Sequence, residues 1–347
     1  MDVRLSPEQM ALRDSVTQVV GRLAPHAVGE LDDAERAAKL DATVTAAGWR
    51  ELRAPTDDGT PLASVVEAAI VAEELGRGLA DVAYLGPTLA LELRRLAGAP
   101  PATAPETVAL TPDLSTPAEA AGGDAPADAV AVDAHGAATA LVLLPSPGGH
   151  TLGAVAPQGR PGGVDLTRPA VAVGPAATVD PVPDQGRALT PDDLARWSAL
   201  GLALTCADLV GAMRGAVDLA CEYAKERRQY GTAIGSFQAV QHLLADAFVA
   251  TEGSRSAALH AAWAVDALPA DEASLAAAVA KAYCARASRA VCETAIQVHG
   301  GIGNTWECLA HVFARRALLS SDVLGGVGPS LARVLDHHGI GEARGLR

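Results

Sequence analysis

The sequence predicts a mainly α fold in three parts: a helical region over residues 1–100, a reduced β-rich module over 101–190, and a bundle of long helices over 191–347. Hydrophobic residues make up 49% of the chain, but aromatic residues only 3%. The core must therefore be built from Ala, Leu and Val, which favours closely packed helices. More than half of the 22 prolines fall in the middle region, whereas apolar residues recur at helical spacing on both sides of it.

The first helix is expected to begin at Pro7. Ser6 is a suitable N-cap, Pro7 suits the first helical position, and Gln9 completes a capping box. Apolar residues then recur at helical spacing as far as Val20. Further helices are predicted at 34–48, 62–78 and 86–97.

The middle region alternates helix breakers with short runs of β-forming residues. DAVAVDA (128–134) and TALVLLP (139–145) are such runs, and prolines and glycines separate them from their neighbours. This pattern predicts a small, irregular β module or a partly ordered linker.

A long helix is predicted to follow the start signal TPDD at Thr190, because nothing interrupts it before Gly231. At 1.5 Å per residue such a helix of ~38 residues would extend over ~57 Å. Helices of this length usually pack in antiparallel bundles. The next helix should start near Ser236, another after Pro269, and two shorter helices should close the chain.

Charge and composition exclude several classes of function. The formal charge of −14 argues against nucleic acid or an anionic membrane as the main partner. The N-terminal MDVRLSPEQM lacks the apolar run of a signal peptide, and no segment reaches the ~20 apolar residues of a membrane span. The five cysteines show no CxxC pairing, which predicts free thiols in a cytoplasmic protein. The nine histidines show no spacing typical of a metal site.

Three sequence motifs resemble those of the acyl-CoA dehydrogenase family. RRQYGTAIGSFQ (227–238) is similar to the family's R-x-x-F-G-x-x-I-x-x-F-Q turn, and QVHGGIGNTWE (297–307) is similar to its Q-x-x-G-G-x-G motif. AIVAEELGRGLA (69–80) resembles the helix at the mouth of the family's substrate site. The resemblance also matches the predicted order of helices, β module and helical bundle.

The resemblance implies an FAD whose adenine-diphosphate half is held across a dimer interface. By position, Arg227 would neutralise the diphosphate and Gln238 would bond near the adenine. Gln297, Gly300 and Gly301 would approach the same end of the cofactor. A diphosphate calls for a guanidinium and backbone N–H donors, and glycine permits close approach. Alternatively, the arginine would only complement the helix dipole, and the glycines would only shape turns.

The resemblance also shows that the family's catalytic base is missing. One base position falls on Leu324, within SDVLGG (321–326), and the other falls on Gly201. Asp208 is the one acid in the middle of the long helix, where burial would raise its pKa toward that of a base. The alternative for Asp208 is a polar contact to a neighbouring helix or subunit. Asp218 and Glu222 are expected on solvated or paired faces.

The loops that hold the flavin ring in this family, T-E-P-x-x-G-S-D and W-I-T/S, do not occur between residues 101 and 190. Trp197 and Trp306 lie outside this region and are expected in the core. The chain therefore resembles the smaller, base-less subunit of heteromeric (α2β2) actinobacterial acyl-CoA dehydrogenases of steroid breakdown.

The implied partner is a homologous subunit with the catalytic glutamate. The complex would desaturate an acyl-CoA thioester and pass electrons to an electron-transfer flavoprotein. Two alternatives remain: a self-sufficient dehydrogenase that uses Asp208 or a displaced base, and a non-catalytic scaffold that has lost FAD.

Overall fold

The N-terminal third consists of four helices. In the computed structural model, which describes residues 4–120, 126, 128–174 and 177–340, these are α1 (Pro7–Leu23), α2 (Ala34–Ala46), α3 (Val65–Arg77) and α4 (Leu85–Ala97). The predicted capping box is present, since Ser6 accepts from the backbone of Gln9 and the Gln9 side chain accepts from the backbone of Ser6. The three further helices lie within a few residues of their predicted bounds.

The middle region forms a mixed sheet with the strand order β5-β2-β1-β3-β4-β6. Its strands are β1 (Glu106–Leu110), β2 (Val130–Val132), β3 (Thr139–Ser146), β4 (Gly149–Val155), β5 (Val171–Ala172) and β6 (Asp180–Pro181). β1 pairs in parallel with β3, and the other neighbours are antiparallel. The two predicted β runs form β2 and β3, so the β module is confirmed. Several of its buried side chains are alanines, as the composition requires.

The C-terminal region is a bundle of five helices within the described residues. These are α5 (Pro191–Glu226), α6 (Gln238–Ala267), α7 (Ala270–His299), α8 (Ala310–Asp322) and α9 (Val327–His337). Thr190 caps α5 in a second capping box with Asp193. Two residues connect α6 to α7, and the two helices pack against each other along an antiparallel hairpin.

Helices α3 and α5 cross with their backbones in direct contact. A Cβ on Gly211 would lie 1.9 Å from the carbonyl oxygen of Glu73, and a Cβ on Gly76 would lie 2.6 Å from that of Asp208. Only glycine allows the two helices to approach so closely. This contact places the carboxylates of Glu73 and Glu74 against Arg214 of α5, with Glu74 at 2.8 Å.

Helix α5 is the central element of the core. It is the one described helix long and apolar enough to cross a membrane, but 94% of that apolar stretch is buried inside the protein, as expected of a core helix. Trp197 is fully buried and donates its indole N–H to the carbonyl of Leu89 at 2.9 Å. The prediction for Trp306 is wrong: it is 65% exposed and meets the edge of His311 at 5.1 Å between ring centroids. It lies in the exposed turn between α7 and α8, where its contacts include the side chains of His311 and Arg315, whose guanidinium carbon is 5.9 Å from the ring centroid.

Candidate functional site

A tight hairpin follows α5. Strand β7 (Arg228–Gln229) pairs with β8 (Thr232–Ala233), and the two residues between them, Tyr230 and Gly231, have φ angles of 52° and 80°. Positive φ at both central residues is the geometry of a two-residue hairpin turn, which explains the glycine. The hairpin returns the chain to the start of α6, beside the end of α5.

Arg227 lies at the base of this hairpin. Its backbone N–H caps α5 by donating to Tyr223 at 2.8 Å, and its side chain is exposed. In the part of the chain that the structure describes, its guanidinium has no hydrogen bond or ion pair. Gln238 is the first residue of α6. Its side-chain amide is also exposed and has no hydrogen-bond partner among the described residues, and the first backbone N–H groups of α6 have no side-chain cap. An unpaired guanidinium and an uncapped helix N-terminus each suit an anion.

The second motif forms the turn after α7. Gln297 is exposed two residues before the helix ends at His299, and Gly300 ends it with φ 65° and ψ −143°. Gly300 and Gly301 are exposed, and a Cβ on either would meet no atom within 4 Å. A Cβ on Gly303, by contrast, would lie 2.8 Å from the carbonyl of Ile296. Gly303 therefore serves packing, whereas Gly300 and Gly301 leave open backbone that a ligand can approach.

The two motifs lie at the same end of the bundle. The rings of Tyr223, four residues before Arg227, and His299, two residues after Gln297, stack with centroids 4.5 Å apart. The unpaired guanidinium and open glycine backbone fit the adenine-diphosphate half of an FAD. The roles of the individual residues stay predictions.

The two expected positions of the catalytic base meet inside the core. Leu324 is 1% exposed, and a Cβ on Gly201 would lie 2.1 Å from Leu324 Cδ1 and 3.1 Å from Leu89 Cδ2. Leu324 adopts φ 62° and donates its backbone N–H to Leu114 at 2.7 Å. The Leu324 side chain at one base position therefore occupies the space that a side chain at the other position, Gly201, would need. Neither residue can accept a proton.

A small, separate cavity lies next to Asp208. The cavity between α3, α4 and α5, lined by residues such as Leu75, Leu85, Leu204 and Asp208, has a volume of about 10 Å³. That is room for about one water molecule, whereas ligand pockets usually measure about 300–1,000 Å³. An acyl chain does not fit there.

Asp208 borders this cavity and is held by cations. It is 4% exposed and accepts from Arg316 at 2.7 and 3.0 Å and from Ser320 at 2.6 Å, while Arg168 lies 3.2 Å away. Burial by itself raises the pKa of Asp208, but the charges of Arg168 and Arg316 and the hydrogen bonds outweigh it and lower the pKa below its ordinary value. The raised pKa that burial alone suggests is thus wrong, and the polar-contact alternative holds.

The other two acids singled out in the sequence are paired at the surface. Asp218 lies 2.8 Å from Arg77, and Glu222 lies 2.6 Å from Lys225. Both match the expectation of solvated or paired faces.

Lys281 of α7 is a buried charged residue that the sequence-based predictions did not include. It is fully buried and donates from Nζ to Thr205 at 3.0 Å and to the carbonyls of Ser320 and Val323 at 2.5 and 2.9 Å. Burial lowers its pKa to about 8. These bonds fix the segment that delivers Leu324 onto Gly201. The signal was available, since this is a rare lysine inside the apolar run AAAVAKAYCA.

No group of three or more potential metal ligands occurs among the residues that the structure describes.

Comparison with known proteins identifies the family of the chain. The family model of the acyl-CoA dehydrogenase C-terminal domain matches residues 200–327. Acyl-CoA dehydrogenase IpdE2 of Mycolicibacterium smegmatis is 31% identical over 95% of this chain and 98% of its own length. The IpdE2 of Mycobacterium tuberculosis is 32% identical over 80% of this chain and 79% of its own.

Solved structures share the fold. The ChsE4-ChsE5 complex from Mycobacterium tuberculosis superposes with a TM-score of 0.77 at 25% identity, covering 98% of this chain and 99% of that one. A chain of the Tcur3481-Tcur3483 steroid ACAD G363A variant gives a TM-score of 0.78 at 24% identity over 96% of this chain and 98% of that one. The chain therefore belongs to the acyl-CoA dehydrogenase family, whose members are oxidoreductases that act on CH–CH bonds.

Proposed function

We propose that this chain is the base-less subunit of a heteromeric, FAD-dependent acyl-CoA dehydrogenase. In this proposal it supplies the adenine-diphosphate side of the cofactor site, and a homologous partner supplies the catalytic glutamate. The observation that carries the proposal is the contact of Leu324 with Gly201, which fills both base positions with an apolar side chain.

The first step concerns the cofactor. Arg227 would neutralise the diphosphate, Gln238 would bond near the adenine, and Gln297 with the backbone of Gly300 and Gly301 would line the same end. Support comes from the exposure of these residues. In the described part of the chain, the side chains of Arg227, Gln238 and Gln297 also have no hydrogen-bond or ion-pair partner. The chemistry that FAD supplies in this family is the acceptance of a hydride from Cβ of the thioester as its α-proton is removed.

The second step concerns the proton. Asp208, the carboxylate that borders the cavity of about 10 Å³, stays ionised but is occupied by Arg316, Arg168 and Ser320, so it has no free lone pair directed at a substrate. An acyl group does not fit in that cavity. In this proposal the acyl group binds in the partner's pocket, beside the partner's glutamate.

The third step concerns assembly. Large apolar side chains are exposed on two bundle helices: Leu243, Phe248 and Val249 on α6, and Val279 and Tyr283 on α7. Large exposed apolar patches usually mark an interface. We assign these exposed apolar side chains of α6 and α7 to assembly with the homologous subunit. The structural neighbour ChsE4-ChsE5 is a complex of two proteins, which supports a heteromer.

The substrate and surroundings complete the proposal. A steroid-derived acyl-CoA is supported by one structural neighbour, the Tcur3481-Tcur3483 steroid ACAD. Electrons would pass to an electron-transfer flavoprotein, in the cytoplasm, where the free cysteines among the described residues are expected. We assign the adenine-side role to the bundle over residues 191–347, with 1–100 and 101–190 as the helical and β domains.

The test uses adjacent arginines. The chain is co-expressed with the homologous partner, and bound flavin is measured by absorbance in wild type, Arg227→Ala and the matched control Arg228→Ala. Only Arg227 occupies the motif position, so its loss should strip flavin, because a diphosphate without its cation is costly to bury. Arg228→Ala should keep it. Normal flavin content in Arg227→Ala would reject the assignment, as would equal loss in both variants.

A further inference from the structure

A loop of the middle region reaches the C-terminal bundle. It comprises residues 162–170, between β4 and β5, and is called the strap below. Its two ends pair with each other, since Gly162 donates its N–H to the carbonyl of Ala170 at 3.0 Å and Ala170 donates back at 2.8 Å. The seven residues between them therefore form a loop with fixed ends.

The strap buries its polar side chains and leaves its apolar ones partly exposed. Asp165, Thr167 and Arg168 are buried, whereas Val164 is 37% exposed and Leu166 is half-buried. Folding usually places apolar side chains inside and leaves charged ones in water. This inversion points to polar contacts, and not to apolar packing, as what holds the strap in place.

Arg168 joins the strap to two helices of the bundle. Its Nε donates to Asp165 at 2.9 Å within the strap. Its Nη2 donates to Ser320 Oγ of α8 at 2.6 Å and lies 3.2 Å from Asp208 Oδ2 of α5. Such a buried ion pair depends on both partners, because the loss of one leaves the other charge buried without compensation.

Arg316 of α8 adds a second contact from the bundle. Its Nη1 donates to Thr167 Oγ1 and to the carbonyl of Ala80, just after α3, both at 2.9 Å. Asp165 in turn accepts from the backbone and the hydroxyl of Thr167 at 2.8 and 2.7 Å. The strap therefore makes its polar contacts at a point where all three parts of the chain meet.

Residues of the strap line two different cavities. A groove of about 600 Å³ beside α2 is lined by Gly163, Asp165 and Leu166 among others. Arg168 instead lines the cavity of about 10 Å³ next to Asp208. The groove has the volume of a ligand pocket, whereas the cavity has room for about one water molecule. The same short loop thus contributes to the walls of both.

We propose that the strap is a latch, held closed by Arg168, that keeps the groove beside α2 separate from the interior next to Asp208. When Arg168 leaves Asp208 and Ser320, residues 163–169 move away from the bundle and the two cavities join. Gly163, with a φ angle of 125°, is the hinge at one end. The proposal concerns closure of this chain's own interior. It goes beyond the cofactor role proposed above and does not depend on it.

The first test is hydrogen exchange of the full-length chain, read by mass spectrometry. Arg168→Met keeps a long side chain but removes the charge, so the amides of 163–168 should exchange at least about tenfold faster than in wild type. The amides of β3 should be unchanged. Arg168→Lys keeps the charge but loses the planar fork, so its exchange rates should lie between those of Arg168→Met and wild type.

Arg160→Met is the matched control. Arg160 is exposed just before the strap, and its side chain has no hydrogen bond or ion pair in the described part of the chain. This variant should exchange at the wild-type rate throughout the strap.

The second test is binding of anilinonaphthalene sulfonate, a dye that reports exposed apolar surface. Folded Arg168→Met should bind more dye than wild type or Arg160→Met, and a single cooperative urea transition checks that it is folded. The proposal is overturned if the strap of folded Arg168→Met exchanges at the wild-type rate, if Arg160→Met has the same effect, or if the strap opens without added dye binding. If Arg168→Met does not fold, Arg168→Lys decides by the same two measurements.

Discussion

The contact between Leu324 and Gly201 can be tested by a double-mutant cycle. In Gly201→Ala the new methyl would lie 2.1 Å from Leu324 Cδ1 and 3.1 Å from Leu89 Cδ2. Overpacking of this kind costs about 1–3 kcal/mol, against about 1 kcal/mol gained from alanine in a helix. We therefore expect a net destabilisation of up to about 2 kcal/mol.

Leu324→Ala alone should cost about 2–5 kcal/mol, because it opens a cavity in a closed core. In the double variant the methyl of Ala at 201 enters the space that the leucine leaves. The double variant should then be more stable than the sum of the single effects predicts, by at least about 1 kcal/mol, within the range found for residues in contact.

The assay is urea unfolding of the full chain followed by far-UV circular dichroism. Gly21→Ala in α1 is the matched control, since a Cβ there would meet no atom within 4 Å, and this variant should gain stability. Additivity of the two substitutions within about 0.5 kcal/mol would refute the direct contact between the side chain at 324 and position 201.

Three further predictions concern the same region. Asp208→Asn leaves Arg168 and Arg316 without their shared carboxylate, so the free energy of unfolding should fall by about 3–5 kcal/mol. Turnover per bound flavin of the folded complex should stay within a few-fold of wild type. A fall in turnover of about 10²-fold would make Asp208 the base. The pKa of Lys281 is about 8 when folded, against an ordinary 10.5, so the unfolded chain holds more protons between these values and stability must rise with pH across that window. Relative to Lys281→Met, wild type should gain roughly 2 kcal/mol between about pH 7 and pH 10, and a pH-independent difference would contradict the assignment. Leu324→Glu should not create dehydrogenase activity in a complex whose partner has lost its glutamate, because position 324 is 1% exposed and packed against α5; measurable turnover would show that a carboxylate at this position reaches the substrate.

Local signals predicted the helices well. Both capping boxes, at Ser6 and Thr190, satisfy backbone donors within three residues of the cap, so a short stretch of sequence contains the whole interaction. The breaker at Gly231 and the start after Pro269 are local in the same sense. The strands β2 and β3 were recognisable as β-forming runs, although their pairing was not.

The parts that could not be predicted depend on distant residues. The pKa of Asp208 is set by Arg168 in the middle region and Arg316 in α8, and neither position can be linked to Asp208 from the order of residues alone. The contact of Leu324 with Gly201 joins two elements more than a hundred residues apart. Trp306 was misplaced because an aromatic residue predicts burial only when another element packs over it.

The central claim is that the proton-accepting carboxylate of the complex lies in the partner and not in this chain. The direct measurement is turnover of a CoA thioester by the reconstituted complex after the partner's catalytic glutamate is changed to glutamine, with bound flavin measured in parallel. The account predicts flavin at the wild-type level and turnover lower by about 10²–10⁴-fold, the usual loss for a general base. Turnover within a few-fold of wild type, with flavin bound, would place the base in this chain and contradict the account.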